Sequence, residues 1–313
     1  METPVNEAGI LLRVRELLAH STQKIREALA DSPPGFAETP YLDALVLLSD
    51  AWNISKEELL ARMTEAVPHG VEVSYNATVG KRCDGDPISY IRGHKEFYGR
   101  RFLVDRRVLV PRPATELLVD QALHHAAMVE HELHVHDCCT GSGAVAITVA
   151  AEIAHQKRPR LVVSASDLSR DALTLAAKNS KAHLTATSQV LFAEGDLLEP
   201  VLTGALSYLP APQIITANPP YLSSNEYAAL ESCGWPEPMI ALASGETGLE
   251  HLNALCNQAI KALGAGGWLI CEIGESQGES AMELFSLAGF ADCTLERDLA
   301  GRIRICKGCK RSP

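Results

Sequence analysis

The stretch Asp137-Cys138-Cys139-Thr140-Gly141-Ser142-Gly143-Ala144 joins an apolar run, Val135 to Cys138, to an apolar segment of helical length, Ala144 to Ile153. This order predicts a short buried strand, a glycine-containing turn and a helix. Gly141 and Gly143 would let the backbone approach a ligand closely, and the start of the helix would supply free N–H groups. We therefore expect a ligand site where this strand ends.

The glycines of this turn do not match the G-x-G-x-x-G fingerprint of dinucleotide-binding proteins. Cys139 and Thr140 stand in place of its first glycine, and Ala146 stands three places after Gly143. The sequence therefore disfavours a nicotinamide or flavin cofactor.

Strand and helix patterns alternate from Leu133 onward. The predicted strands are Val135 to Cys138, Leu161 to Ala165, Gln189 to Phe192, Gln213 to Thr216 and Gly267 to Ile273. The predicted helices are Ala144 to Ile153, Arg170 to Ser180 and Leu249 to Leu263. Such alternation indicates parallel strands joined by crossover helices, hence an α/β fold with a doubly wound sheet.

The residues before this region have a different pattern. Apolar residues recur at helical spacing over about Ala8 to Ala30, Tyr41 to Ala51 and Ser55 to Thr64, which predicts a small helical bundle. Residues 68–86 have the composition of a linker, and the alternation around Gly99 predicts a short hairpin. We therefore expect a helical substrate-recognition domain over 1–80, a linker and hairpin over 81–107, and a catalytic domain over 108–313.

Acidic or amide residues follow successive predicted strands: Asp137, Asp167, Asp196 and Asn218. The carboxyl ends of parallel strands meet at one edge of the sheet, where such sheets bind ligands. Asp167 is placed to bind a ribose diol, and Asp196 with Leu197 could hold the amino group and the face of an adenine. The competing interpretations are a helix N-cap for Asp167 and a surface turn for Asp196.

The tetrapeptide Asn218-Pro219-Pro220-Tyr221 ends the fourth strand. Its two prolines fix φ and have no N–H to donate, so the turn is stiff and leaves the Asn218 side chain and nearby carbonyls as acceptors. Tyr221 adds a flat aromatic wall. This arrangement suits a planar amide or amino group whose nitrogen attacks an electrophile, and a purely structural turn is the alternative.

The order of these motifs resembles that of the S-adenosylmethionine-dependent class I methyltransferases, which have a Rossmann-like sheet. The tetrapeptide resembles the N-P-P-Y motif of enzymes that methylate planar nitrogens. The wider sequence is similar to the HemK-type (PrmC-type) protein-(glutamine-N5) methyltransferases, which modify the Gly-Gly-Gln glutamine of peptide chain release factors. The similarity covers most of the chain after about residue 85, through the segments 87–93, 97–99, 108–117, 237–238, 241–242, 245–249 and 297–302.

The resemblance implies roles for individual residues. The methionine end of S-adenosylmethionine would lie along Cys139, Thr140, Gly141, Ser142 and Gly143, with Asp137 in the same cofactor site. The ribose would lie on Asp167 and the adenine near Asp196 and Leu197. The implied catalytic residues are Asn218, Pro219 and Tyr221, and the implied substrate-binding residues are the same three with Pro220. Asn218 also belongs to the implied cofactor site. Asn218 and the Pro219 carbonyl would accept the N–H bonds of the glutamine amide.

The composition limits the expected partners. Lys and Arg number 28 against 39 Asp and Glu, and the resulting net charge of −11 argues against stable nucleic-acid binding. The nine cysteines, two of them adjacent, are typical of reduced thiols, and neither a secretory signal nor a membrane-spanning stretch is visible, so we expect a cytoplasmic protein. No metal is expected, because we interpret His131, His134 and His136 as solvated histidines.

The leading hypothesis is therefore methylation of a release-factor glutamine. The alternatives are glutamine methylation of a ribosomal protein, amino methylation of adenine in nucleic acid, and a non-catalytic adaptor that keeps the fold. Cys139 keeps the choice of protein substrate open, because many relatives have glycine there and related methyltransferases of a ribosomal protein often have cysteine. The sequence leaves the oligomeric state open.

Overall fold

The computed structural model of the chain describes residues 12–30, 32, 39–130, 132–154, 161–185 and 188–311. They fall into two compact units. The first unit ends at Gly93 and also includes Leu230–Pro236, and the second begins at His94. Within the described ranges, no helix is both long and apolar enough to cross a membrane.

The first unit is helical. Its helices are α1 (Val14–Ala28), α2 (Pro40–Trp52), α3 (Lys56–Ala61), α4 (His69–Cys83) and α5 (Ile88–Arg92). Helices α1, α2 and α4 pack together around a core that includes Leu17, Leu48 and Tyr75. As the sequence predicts, α3 begins after Ser55, whose side chain accepts a hydrogen bond from the Glu58 N–H at 3.1 Å.

The interpretation of residues 68–86 as a linker is wrong, since most of them form α4. Tyr75 and Val79 lie one helical turn apart and are fully buried. Arg82 on the same helix is also buried, and its Nε donates to Asp43 Oδ2 at 2.8 Å. Packing against the neighbouring helices therefore outweighs the low helix propensity of residues such as Gly80.

The second unit begins with the predicted hairpin, β1 (His94–Phe97) and β2 (Arg100–Leu103). The helices that follow are α6 (Glu116–Ala127), α7 (Ala144–Ala154), α8 (Arg170–His183), α9 (Glu199–Leu202), α10 (Ser224–Ser232), α11 (Glu250–Ala262) and α12 (Gly278–Ala288). The strands are β3 (Leu133–Cys138), β4 (Leu161–Asp167), β5 (Val190–Glu194), β6 (Ile214–Ala217), β7 (Trp268–Glu272), β8 (Phe290–Arg297) and β9 (Ile303–Lys310).

The seven strands from β3 to β9 form one sheet in the order β5-β4-β3-β6-β7-β9-β8. Strands β3 to β7 pair in parallel, as predicted, whereas β9 runs antiparallel between β7 and β8. Because successive side chains of a strand point to opposite faces, Ile214 and Ile215 enter different apolar cores on the two sides of the sheet. The strand order reverses next to β3, which places a crevice at the carboxyl ends of β3 and β6.

The expectation of solvated histidines is wrong for His134 and His136, which are fully buried on β3. Their rings contact Ser164 Oγ at 2.7 Å and 2.8 Å, and His136 also contacts Ser166 Oγ at 3.0 Å. Burial lowers the pKa of His136 to about 3, so its ring stays neutral. The third histidine of that group, His131, lies outside the described residues.

Candidate active site

A pocket opens at the carboxyl ends of β3, β4 and β6, beside the turn that follows β5. Most of the residues predicted for the site line it: Asp137, Cys139, Thr140, Gly141, Ser142, Asp167, Asp196, Leu197, Asn218 and Pro220. The parallel sheet brings these residues together although they are distant in sequence. Gly143, Pro219 and Tyr221 do not line the pocket.

Asp137 holds the turn that follows β3. Its Oδ2 accepts a hydrogen bond from Thr140 Oγ1 at 2.6 Å, and its Oδ1 accepts one from Thr216 Oγ1 at 2.8 Å. Burial raises the pKa of this carboxyl to about 6, and the two hydroxyl donors oppose the rise. Asp137 therefore fixes the position of Thr140 relative to β6.

Asp167 connects the ends of β3 and β4. Its carboxylate accepts hydrogen bonds from the backbone N–H of Gly141 at 2.8 Å and of Ser169 at 2.9 Å. Burial raises its pKa, and these backbone donors oppose the rise. Ser169, not Asp167, caps helix α8 by accepting a hydrogen bond from the Ala172 N–H at 3.1 Å. The carboxylate of Asp167 thus orients the glycine turn at the wall of the pocket.

Gly141 and Gly143, the two glycines of the turn, have different surroundings and different structural roles. Both have positive φ, +55° at Gly141 and +79° at Gly143. A Cβ on Gly141 would meet nothing within 4 Å, so the bare backbone there faces open space beside the pocket. A Cβ on Gly143 would lie 2.7 Å from Ile147 Cδ1 and 3.1 Å from Ala176 Cβ. Gly143 therefore allows α7 and α8 to pack closely. This differs from our expectation that Gly143, like Gly141, lets the backbone approach a ligand.

Asp196 and Leu197 form the turn after β5. Asp196 is exposed, and Leu197 is buried with a left-handed backbone, φ +50°. The Leu197 carbonyl accepts a hydrogen bond from Ser166 Oγ at 2.8 Å, and the next N–H donates to Gln258 Oε1 at 2.8 Å. These bonds hold an unfavourable backbone conformation that places an acidic and an apolar side chain together at the pocket.

Cys139 brings a thiol into the pocket wall. It also has a positive φ, +58°, and its Sγ lies 3.8 Å from Cys138 Sγ. The hydrogen bond with Cys138, together with burial, raises the pKa of the Cys139 thiol well above its ordinary value. The side chain is therefore a neutral thiol of modest size at neutral pH.

Burial and backbone hydrogen bonds hold the Asn218 turn, residues 218–221, in place. Pro219 and Pro220 are buried, and Gln277 Nε2 donates to the Tyr221 carbonyl at 2.9 Å. Leu222 then pairs with the segment 242–244, since its N–H donates to Leu242 at 2.9 Å and its carbonyl accepts from Ser244 at 2.7 Å. Asn218 itself is half-buried, and its Nδ2 donates to Thr115 Oγ1 at 3.4 Å.

Several residues that the sequence analysis did not predict also line the pocket, among them Arg107, Thr115, Ile240 and His251. The Arg107 guanidinium is held by Asp105 through Nε at 2.8 Å and Nη2 at 2.5 Å. The Ser244 hydroxyl oxygen contacts both the backbone N–H and Nδ1 of His251, at 3.0 Å and 2.8 Å. The only sequence signal for these residues is that Thr115 lies in the segment 108–117, one of those that carry the family resemblance.

Comparison with known proteins points to one family. The chain is 36% identical over 274 residues to the release factor glutamine methyltransferase of Neisseria gonorrhoeae, covering 88% of this chain and 95% of that protein. It is 33% identical over 293 residues to the enzyme of the same name from Nitratidesulfovibrio vulgaris, covering 92% of each. Residues 16–93 match the PrmC N-terminal domain family.

A similar solved structure is the release factor-specific protein-(glutamine-N5) methyltransferase of Alicyclobacillus acidocaldarius. It shares 21% identity with this chain, and the match covers 67% of this chain and 100% of that one with a TM-score of 0.39.

Proposed function

The chain belongs to the release factor glutamine methyltransferase family, and from this premise we propose that it methylates the Gly-Gly-Gln glutamine of peptide chain release factors. The enzyme transfers the methyl group of S-adenosylmethionine to the side-chain amide nitrogen of that glutamine. The observation that carries the proposal is that Asn218, at the end of β6, lines the same pocket as Asp167 and Asp196.

The residues of the pocket fit S-adenosylmethionine. The bare backbone at Gly141 leaves room for the methionine end of the molecule. Asp167 keeps lone pairs beyond those used by its two backbone donors, and these can accept the hydroxyls of a ribose. Asp196 offers an acceptor for the adenine amino group, and Leu197 offers an apolar surface for its ring. When bound, the cofactor supplies an electrophilic methyl group on a positively charged sulfur.

The side of the pocket formed by Asn218 would orient the amide group of the substrate glutamine. An amide nitrogen is a poor nucleophile because its lone pair is delocalised into the carbonyl. Asn218 Oδ1 would accept one N–H bond and hold the amide so that its nitrogen faces the methyl carbon. The family resemblance assigns the second N–H bond to the Pro219 carbonyl, although Pro219 does not line the pocket. Tyr221 supports this turn from outside the pocket.

The reaction balances without a further reagent. The amide nitrogen would form a C–N bond to the methyl carbon in exchange for the cofactor's C–S bond, and it would release one proton to solvent. Orientation and hydrogen bonding replace a strong general base, so Asn218 and Pro219 contribute mainly by positioning the amide.

Mass spectrometry tests the proposal directly. A release factor, a ribosomal protein and an adenine-containing DNA duplex are each incubated with the enzyme and S-adenosylmethionine. We expect one added methyl on the Gly-Gly-Gln glutamine and none on the other two. Methylation of only the ribosomal protein or the DNA would overturn the proposed substrate, and failure to bind cofactor or methylate anything would favour the adaptor hypothesis.

We also propose that the helical unit recognises the release factor. The support is the match of residues 16–93 to the PrmC N-terminal domain family. Hydrogen exchange on the enzyme with and without a release factor should then show added protection in α1 to α5. Since the substrate is a translation factor, the reaction belongs in the cytoplasm.

A further inference from the structure

The start of helix α11 lies against the Asn218 turn. A Cβ on Gly248 would come within 2.5 Å of the Tyr221 carbonyl oxygen, so a larger residue there would force the two segments apart. Gln277 Nε2 also donates to the carbonyls of both residues, at 2.9 Å to Tyr221 and 3.1 Å to Gly248. His251 lines the pocket three residues after Gly248, and it therefore belongs to the side of the pocket that Asn218 forms.

Ser244 fixes the ring of His251. Ser244 is fully buried, its N–H donates to the Leu222 carbonyl at 2.7 Å, and its carbonyl accepts from the Gly248 N–H at 3.1 Å. Its hydroxyl oxygen lies 3.0 Å from the backbone nitrogen of His251 and 2.8 Å from Nδ1 of the same residue. The imidazole is thus oriented by a hydroxyl that is itself held in place by the main chain.

The hydrogen-bond capacity of the Ser244 hydroxyl decides which ring nitrogen of His251 carries the hydrogen. The hydroxyl has one proton and two lone pairs, and one lone pair accepts the His251 backbone N–H. A hydrogen on Nδ1 would occupy the second lone pair and leave the hydroxyl proton without an acceptor, since no further partner of Ser244 lies within the described ranges. An unmade hydrogen bond is costly in a fully buried group. The hydroxyl therefore donates to Nδ1, and the ring hydrogen is on Nε2.

Nε2 is the nitrogen of His251 that is available to a ligand. The residue is half-buried and lines the pocket. In the part of the chain that the structure describes, Nε2 has no hydrogen-bond partner, and yet it is not a buried atom. Protonation of the ring would not change its role, because an imidazolium carries a hydrogen on both nitrogens. His251 therefore presents an N–H donor to the pocket in either protonation state.

A peptide substrate needs a donor on this side of the pocket. Asn218 Oδ1 is an acceptor for an N–H of the glutamine amide, and Asn218 Nδ2 already donates to Thr115 Oγ1 at 3.4 Å. The carbonyl oxygens of a Gly-Gly-Gln segment then remain to be paired, and a carbonyl that loses water without gaining a donor costs free energy. The two glycines have no side chains to cover these carbonyls, so a ring N–H can reach them.

We infer that His251 is a substrate-binding residue whose Nε2–H, oriented by Ser244, donates a hydrogen bond to a carbonyl oxygen of the Gly-Gly-Gln segment. The inference rests on the proposed function. The methionine carboxylate of the cofactor is the competing acceptor. The contacts that fix His251 lead to Tyr221 and Leu222, after β6, whereas the methionine end of the cofactor is expected along the turn after β3, and this difference favours the substrate.

Three variants and a control test the inference: His251→Phe, His251→Gln, His251→Met and His124→Phe. Phenylalanine keeps a flat ring without a donor, glutamine brings an amide N–H near the position of Nε2, and methionine is similar in length to glutamine but has no donor. His124 is the control because it is exposed on α6 and does not line the pocket. For each variant we would measure kcat and KM with a release factor, the Kd for S-adenosylhomocysteine by calorimetry, and the melting temperature.

We expect His251→Phe to raise the KM for the release factor by about 10-fold, comparable with the loss of one hydrogen bond to an uncharged partner. The kcat and the Kd should each stay within about 2-fold, because the lost contact is equal in the bound and the reacting substrate. His251→Gln should recover most of the KM and His251→Met should not. His124→Phe should behave like the unmodified enzyme.

The position of the ring hydrogen gives a readout that is independent of turnover. Long-range proton–nitrogen correlation spectra of the histidine rings would be recorded on the unmodified enzyme, and the signals of His251 would be assigned through their absence from His251→Phe. We expect a hydrogen on Nε2. A ring hydrogen confined to Nδ1 would overturn the inference.

An unchanged KM in a folded His251→Phe would also overturn it. A weaker Kd for S-adenosylhomocysteine at an unchanged KM would assign the donor to the cofactor carboxylate and refute the substrate contact. If His251→Phe fails to fold, the comparison of His251→Gln with His251→Met decides, and equal KM values in these two would count against the inference. An unmodified enzyme that binds S-adenosylhomocysteine but leaves the release factor unmethylated would instead overturn the proposed function.

Discussion

At the scale of single residues, the proposed function assigns substrate positioning to Asn218 and cofactor binding to Asp167 and Asp196, which line the same pocket. Asn218→Ala should lower kcat by about 10²- to 10³-fold, since an oriented polar partner of the reacting group is lost. Calorimetry with S-adenosylhomocysteine should give a nearly unchanged Kd. An equal loss of turnover and cofactor affinity would contradict this division of roles.

The two glycines of the β3–α7 turn give a matched pair of variants. Gly143→Ala should destabilise the fold by about 2–4 kcal/mol, because the new methyl group meets Ile147 and Ala176 and the backbone is left-handed. Gly141→Ala carries only the backbone strain, about 1–2 kcal/mol, but should weaken cofactor binding. Urea unfolding and cofactor calorimetry on both variants would check this. The reverse pattern would show that Gly143 is the residue near the ligand.

At the scale of elements, α6 is attached to β7 by an unusual contact. The His125 ring stacks on Trp268 with centroids 4.1 Å apart, and both of its ring nitrogens are buried without hydrogen-bond partners. Burial lowers the pKa of His125 to about 4. His125→Phe should keep the stacking, remove the buried polar atoms and raise the free energy of unfolding by about 1 kcal/mol.

The pH dependence of that gain follows from the same contact. Below pH 6.5 the unfolded chain binds a proton at His125 while the folded protein does not until about pH 4, so acid destabilises the unmodified protein. The advantage of His125→Phe in melting temperature should therefore be larger at pH 5 than at pH 8. His124→Phe is the control, since His124 is exposed and its replacement should change stability by less than about 0.5 kcal/mol. A gain that is equal at both pH values would contradict the argument.

At the scale of the whole molecule, the cysteines report global unfolding. Cys233 is exposed, whereas Cys256, Cys271 and Cys306 are buried, and burial raises the pKa of Cys306 to about 12. A thiol reagent at pH 8 should label Cys233 rapidly and the buried three only when the protein unfolds, because the thiolate is the reactive form. Peptide mapping over a urea series, with Cys233→Ser as control, should give a labelling midpoint equal to that from circular dichroism. Rapid labelling of Cys306 in the native protein would refute this.

Local sequence patterns sufficed to predict which residues meet at the carboxyl ends of the parallel strands. Asp137, Asp167, Asp196 and Asn218 were predicted together because each follows a strand whose period and length are visible in the sequence. Their precise partners were not predictable, since the Asp137–Thr216 hydrogen bond depends on the register of β3 with β6.

Other features depend on long-range packing and left little trace in the sequence. Arg107 and His251 reach the pocket through contacts with Asp105 and Ser244 that no motif indicates. Helix α4 is stabilised by burial rather than by strong helix formers. The buried histidines of β3 were misjudged because their serine partners lie on the neighbouring strand.

The position of β9 has a consequence for biosynthesis. This last strand of the sheet lies between β7 and β8, where Cys306 pairs with Cys271 on one side and Leu295 on the other. While the chain is still being translated, the edge of β7 has no partner on that side and is open to mispairing with other chains. The sheet can close only after the residues of β9 have left the ribosomal exit tunnel, so β7 keeps one unpaired edge until that point.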